Sequence, residues 1–276
     1  MIWINLHNIA LYSLFQIRST ITFLADITGF TKVNGAGMTV DHRTTETQGR
    51  VRFGAGLRHD IADEVARLGA GQALVLSTPH QSESALEIAE RLGPAAVGVF
   101  CRAAMHTPVE ITEEAVSHTR ETGADCLVSV GGGSTTGLGK AIALRTGLPH
   151  IVIPTTYAGS EATPILGQTE NGVKTTLTDA RVLPQVILYD PELVTSLPVK
   201  MTVTSALNAM AHAAEALYAT DRTAATDSLA TDGLRAFADG LPRVLQSPED
   251  TGAREETLRG AWACGTVLGQ VGMALC

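Results

Sequence analysis

The chain has 276 residues, 45% of them hydrophobic, 17% charged and 4% aromatic, enough for one large domain or two ordinary ones. Its 27 glycines and 11 prolines follow no period, which excludes a collagen-like or low-complexity chain. With 28 acidic against 20 basic residues the formal charge is −8, so no nucleic-acid-binding surface is expected, whereas a small anionic substrate needs only a local pocket of donors and cations.

Residues 1–30 are rich in Ile, Leu and Phe, but Asn5, His7, Asn8, Ser13 and Gln16 interrupt every apolar run, and Arg18 and Asp26 carry charge. A membrane span needs about 20 mostly apolar residues. A signal peptide needs a basic start, which Met1–His7 does not supply. The segment is read as neither, and the protein as cytoplasmic. Cys101, Cys126, Cys264 and Cys276 lie far apart with no C-x-x-C, which predicts reduced thiols acting as small buried hydrophobes.

From Arg50 the texture becomes regular. Val51–Gly56 reads as a strand end and glycine turn, and Ile61, Val65 and Leu68 mark one face of a helix over Asp60–Leu68. A strand (Ala73–Ser77), helix (Ser82–Leu92), strand (Ala96–Phe100), helix (Thr112–Glu121) and strand (Cys126–Val130) follow. Ser134 is expected to cap a helix running to about Arg145, and Ile151–Ile153 and Val186–Leu188 are further buried strands. This alternation predicts an α/β domain with a parallel sheet covered on both faces. From Met201 the sequence is Ala-rich and helical, notably over Ala206–Tyr218 and Glu255–Leu275, so a domain boundary is expected near Pro198.

The strongest chemical signal is Val128-Ser-Val-Gly-Gly-Gly-Ser-Thr-Thr-Gly-Leu-Gly-Lys140, where a strand enters three glycines and then a helix. Glycines let backbone N–H groups approach a phosphate, and a helix N-terminus offers unpaired donors. The stretch is not a Walker A loop, because Ser134 stands at the first Gly position and Ala141 at the Mg²⁺-binding hydroxyl. Nor is it G-x-G-x-x-G, because Thr136 stands at the third Gly. Pro154-Thr-Thr-Tyr-Ala-Gly-Ser-Glu161 follows the next strand and opens on the same sheet edge. Asn208 and His212 are four apart on one helix and share a face; that spacing suits a metal pair, a donor pair over a substrate, or a packed side chain. Lys174 and Arg181, in the polar stretch after Gly172, suit solvation or contact with an anion.

Together these motifs resemble the iron-containing alcohol dehydrogenase family, in its maleylacetate reductase branch. The match is carried by Phe53-Gly-Ala-Gly56, Gly131–Lys140, Pro154–Glu161, Gly172-Val-Lys-Thr-Thr176, Asp179–Pro184, Tyr189–Leu193 and Asn208-Ala-Met-Ala-His212, over about Arg50 to Leu275. The metal-dependent dehydrogenases of the family carry Asp where this chain has Gly137, and Asp again where it has Asn208. An amide is a poor ligand for a hard divalent cation, so no metal is expected.

The resemblance implies a dehydroquinate synthase-like fold, with an N-terminal parallel-sheet dinucleotide-binding domain (50–197) before an incomplete all-helical domain (198–276). It implies NADH- or NADPH-dependent reduction of the carbon–carbon double bond of maleylacetate, a dicarboxylate, to 3-oxoadipate, and a homodimer. Gly131, Gly132, Gly133 and Ser134 would hold the pyrophosphate, Thr155, Thr156 and Lys174 would line the nucleotide cleft, and Asn208 and His212 would face the substrate. Residues 1–49 do not resemble the family, and the family continues past Gly272–Leu275 with a helix bearing further histidines; on both counts the chain is expected to be a fragment or the product of a shifted or interrupted reading frame. The alternatives are a metal-dependent alcohol or glycerol dehydrogenase of the same family, and a nucleotide-binding remnant without turnover.

Overall fold

The computed structural model describes residues 49–272. The expectations for residues 1–48 and for Cys276 lie outside the described residues, as do the last three residues of the helix read to Leu275; that helix ends at Leu268, with Gly269 as its C-cap. Six strands, β1 (Arg50–Phe53), β2 (Ala73–Leu76), β3 (Ala96–Phe100), β4 (Cys126–Gly131), β5 (His150–Pro154) and β8 (Val186–Tyr189), form one parallel sheet in the order β1-β8-β5-β4-β2-β3. β6 (Ile165–Glu170) and β7 (Val173–Thr178) form a separate antiparallel hairpin.

The sheet is apolar on both faces because helices cover both. Helices α1 (Ile61–Arg67) and α2 (Ser82–Leu92) set Ile61, Val65 and Ile88 against Val75, Val128 and Ile151. Helices α3 (Val109–Glu121) and α4 (Gly133–Thr146) set Val116, Leu138 and Ile142 against Leu74, Leu76 and Leu127. Neighbouring residues of β2 and β4 thus serve opposite cores, as the two-residue period of a strand requires. The parallel connections bring the ends of β4 and β5 to one edge, with Gly131 paired to Pro154.

Helices α5 (Val199–Ala216), α6 (Ala224–Gln246) and α7 (Thr251–Leu268) pack with Ile187 and Tyr189 of β8 and with Tyr157 into a third core that includes Phe237, Leu258 and Val267. Pro198 is the N-cap of α5. Three points differ from the sequence reading. The cap of α4 is Gly132, and Ser134 makes no capping bond, because Gly132 already supplies the extended residue from which the helix starts. Helix α3 begins at Val109, directly after Pro108, three residues before the start read from the pattern. The polar stretch after Gly172 is strand β7, exposed along its whole length, so no hydrophobic alternation marks it.

Cys126 and Cys264 are buried and free, and burial pushes each thiol up to about 12. Among the described residues no helix is long and apolar enough to cross a membrane.

Candidate functional site

The end of β4 is shaped by what its neighbours leave room for. Gly131 takes φ 157°, and a Cβ there would fall on the Thr135 hydroxyl. A Cβ on Gly132 would meet Thr156 Cγ2 at 2.8 Å. The two loops are tied by Thr155 N–H donating to the Gly131 carbonyl at 3.0 Å, and Gln81 Nε2 reaches over to the Thr155 hydroxyl at 2.7 Å. Gly133 stands exposed at the first turn of α4, which carries no acidic side chain and no side-chain cap. The N–H groups there are donors, backed by the helix dipole, with no carboxylate of their own turn to occupy them. The hydroxyls of Thr135 and Ser160, both bordering the glycines, are buried without a hydrogen-bond partner. A cradle bounded by orphaned hydroxyls and open helix donors fits the pyrophosphate of a dinucleotide.

The wall of this cradle continues into the hairpin. Thr107 is β-branched yet holds φ 48°, a conformation such residues rarely adopt, and its hydroxyl lies where a Cβ on Gly137 would be. Its carbonyl accepts from Thr169 N–H at 3.3 Å, and Thr169 pairs across the hairpin with Lys174. Lys174 is therefore exposed on a strand whose partner is docked against the α4 side of the sheet.

A buried cation fixes the far side of the loop. Lys140 Nζ, in the middle of α4, donates to the carbonyls of Ser160 (2.6 Å), Thr163 (2.6 Å) and Ile165 (2.9 Å) and to the Thr163 hydroxyl (3.1 Å). Burial pushes its pKa down to about 7, against the pull of nearby Glu161. Glu161 is itself raised by burial and accepts from the Tyr189 hydroxyl at 2.8 Å. These residues are anchors of the loop, not groups that face the cradle.

Asn208 and His212 are brought together on α5, with Nδ2 and Nε2 3.3 Å apart. Asn208 is exposed and His212 half-buried. The structure thus assembles two sets, Gly131–Ser134 with Thr155 and Thr156, and Asn208 with His212. Among the described residues no group of three or more His, Cys, Asp or Glu could hold a metal ion. The sequence reading missed Gln81, Thr107 and Arg254, and named Tyr157 only as part of the Pro154–Glu161 loop. Of the missed residues only Gln81 and Thr107 had a signal, their positions in loops after strands that end on the same edge.

Residues 48–191 match the iron-containing alcohol dehydrogenase family model, and residues 202–276 match that family's C-terminal model. The chain belongs to the iron-containing alcohol dehydrogenase family. It is 63% identical over 231 residues to a maleylacetate reductase of Rhizobium sp., a match covering 84% of this chain and 66% of that protein. It superposes on the crystal structure of maleylacetate reductase from Agrobacterium tumefaciens with a TM-score of 0.81 at 62% identity, covering 83% of this chain and 65% of that one. A more distant neighbour, sulfoacetaldehyde reductase from Bifidobacterium kashiwanohense in complex with NAD⁺, has a TM-score of 0.76 at 24% identity, covering 84% and 67%, and shares the fold. The chain spans about two thirds of the length of these relatives. The family's dehydroquinate synthase-like architecture, a parallel-sheet α/β domain followed by helices, is the one described above.

Proposed function

We propose that this chain carries the nucleotide cleft and one substrate-facing helix of a maleylacetate reductase, which reduces the carbon–carbon double bond of maleylacetate to 3-oxoadipate with NADH or NADPH. The observation that carries the reading is the glycine cradle, closed by Thr156, tied to Thr155 and lacking any carboxylate of its own. The substrate is inferred from the identity to maleylacetate reductases.

When bound, NAD(P)H supplies the hydride. Backbone N–H groups of Gly131–Ser134 hold its pyrophosphate at the α4 N-terminus, while Thr155, Thr156 and Lys174 line the cleft. Hydride addition to a double bond conjugated to a ketone leaves charge on an enolate oxygen, and a fixed donor beside that oxygen lowers the barrier. The Asn208 amide is such a donor, and His212 sets a proton carrier next to it. Where the amide donates to His212 Nε2, the neutral ring carries its hydrogen on Nδ1. On α5 the one imidazole is paired with an amide, a poor ligand for a hard divalent cation, and among the described residues no group of three or more His, Cys, Asp or Glu stands beside it.

The test is a fluorescence titration of the purified chain with NADH, followed by absorbance at the nicotinamide band after adding fresh maleylacetate. Saturable binding with steady consumption supports the full reading. Binding without consumption leaves a nucleotide-binding chain and removes the reductase. Oxidation of an alcohol that depends on added Fe²⁺ or Zn²⁺ would replace it with a metal-dependent dehydrogenase.

A further inference from the structure

Arg254, near the start of α7, is fully buried, and every acceptor around it is neutral. Its Nε donates to the Pro248 carbonyl at 2.9 Å, Nη1 to the Tyr157 hydroxyl at 3.0 Å and to Thr202 Oγ1 at 3.1 Å, and Nη2 to the Thr195 carbonyl at 3.1 Å. No carboxylate pairs with it among the described residues. Withdrawing a guanidinium from water without a counter-charge is costly, and an apolar side chain of similar volume would fill the space without that cost. A cation kept there on neutral oxygens has a geometric task, and its partners say which.

Tyr157 lies in the loop after β5, one residue beyond Thr156, whose methyl group borders the Gly132 position. Thr202 lies in the first turn of α5, the helix that carries Asn208 and His212 further along. Thr195 belongs to the connection between β8 and α5. One rigid, planar side chain therefore touches the nucleotide loop, the substrate-facing helix and the segment that leads from β8 into that helix. The planar fork suits this, because its donors are fixed relative to one another whereas those of an ammonium rotate. We infer that Arg254 is a positioning residue that holds the Thr155–Tyr157 loop in register with α5, so that the cradle and the Asn208–His212 pair face each other at a fixed offset. Lys140 grips the same loop from the sheet side, so the loop is held between a cation of each layer.

The geometric part of this inference stands without the nucleotide reading; only its binding arm rests on that reading. The experiment compares wild type with Arg254→Lys by hydrogen exchange and by NADH titration at a temperature where both are folded. Arg254→Lys is expected to speed exchange about tenfold in residues 154–165 and in the first half of α5, leaving β2 and β3 unchanged. It is also expected to weaken NADH binding about tenfold, the scale of a lost hydrogen bond to a charged group. Tyr157→Phe should loosen the loop alone and Thr202→Val the helix alone, and these two carry the test if Arg254→Lys fails to fold. A lowered melting temperature with unchanged exchange in both segments, or equal effects of Tyr157→Phe and Thr202→Val on both, would overturn the inference. Wild-type chain that binds no NADH would sink the nucleotide reading, and the exchange result would still decide the role of Arg254.

Discussion

Around Gly131 the backbone is fixed by its neighbours: Thr135 and Thr156 fill the space that side chains on Gly131 and Gly132 would take, Gln81 bridges to Thr155, and Lys140 uses its donors on the far side of the loop. On α5 the face bearing Asn208 is open, with Met201, Thr204 and Ala211 exposed on the same helix. The first region is over-determined by packing and the second is not. A cradle must hold donors where a phosphate will arrive, and the protein has to exclude water and fix backbone to do so. A group that meets a substrate must stay accessible, so it can contribute little to the fold. Changes in the first region should therefore register as lost stability together with lost binding, and changes in the second as lost chemistry alone.

The largest effect is expected where the two layers touch. Gly265 on α7 packs on the backbone of Gly159, and a Cβ at 265 would fall on the Gly159 carbonyl, which has no side chain to swing away. Gly265→Ala should cost about 3 kcal/mol, an overpacking penalty at the upper end of the usual range. For a chain of this size that lowers the melting temperature on the order of 10 °C. NADH affinity should fall as well, because the same contact seats the loop. A variant that melts as wild type does would show that the loop and α7 separate freely, and the contrast between the regions would lose its strongest support.

A second effect tests the buried wall beneath the cradle by pH. His150, at the start of β5, is fully enclosed with Nε2 2.8 Å from Ser129 Oγ, and its Nδ1 has no hydrogen-bond partner. Burial first, and the Lys140 charge second, push its pKa from 6.5 down to about 3. The folded state therefore resists a proton that the unfolded chain accepts below about pH 6.5, so stability is lost as pH falls through that window. The slope is about 1.4 kcal/mol per pH unit once the unfolded imidazole is charged. Between pH 6.5 and 4.5 the wild type should lose roughly 2 kcal/mol more than His150→Gln in urea unfolding. Parallel losses in the two proteins would mean that the imidazole is solvated in the folded state.

The same contrast explains what the amino-acid sequence alone makes legible. The strands of the sheet are buried apolar runs, and Gly131–Gly133 and the loop after Pro154 advertise themselves by composition, so both the parallel α/β fold and the cradle were legible. Strand β7 was not: Val173–Thr178 is exposed throughout, and its hairpin is specified by Asn171 and Gly172, both with positive φ, and by pairing with β6. Arg254 was hidden for another reason. Its acceptors on Tyr157 and Thr202 are 97 and 52 residues away in sequence, and nothing local distinguishes it from the arginines on the surface. Asn208 and His212 were visible as a pair by spacing, but spacing carries no information on what lies opposite.

The smallest effect on stability, and the sharpest test of the contrast, belongs to that pair. Asn208→Ala and His212→Ala each remove a polar group from a helix face that contributes little to the helical core, where Ala209, Met210 and Ala213 do the packing. Alanine is also the best helix former, so each replacement should change the unfolding free energy by less than about 0.5 kcal/mol. NADH affinity should be unchanged, because neither residue is part of the cradle. Turnover of maleylacetate should fall on the order of a hundredfold for His212→Ala, the lower end of what a positioned proton carrier contributes. Asn208→Asp separates the two roles that the position could serve. It keeps the shape, replaces a donor by an acceptor and adds charge opposite an enolate, so it should lower turnover at least as far as alanine does. If Asn208→Asp instead gains activity when Fe²⁺ or Zn²⁺ is supplied, the amide stands where a metal ligand works, and its role as a donor to the enolate falls.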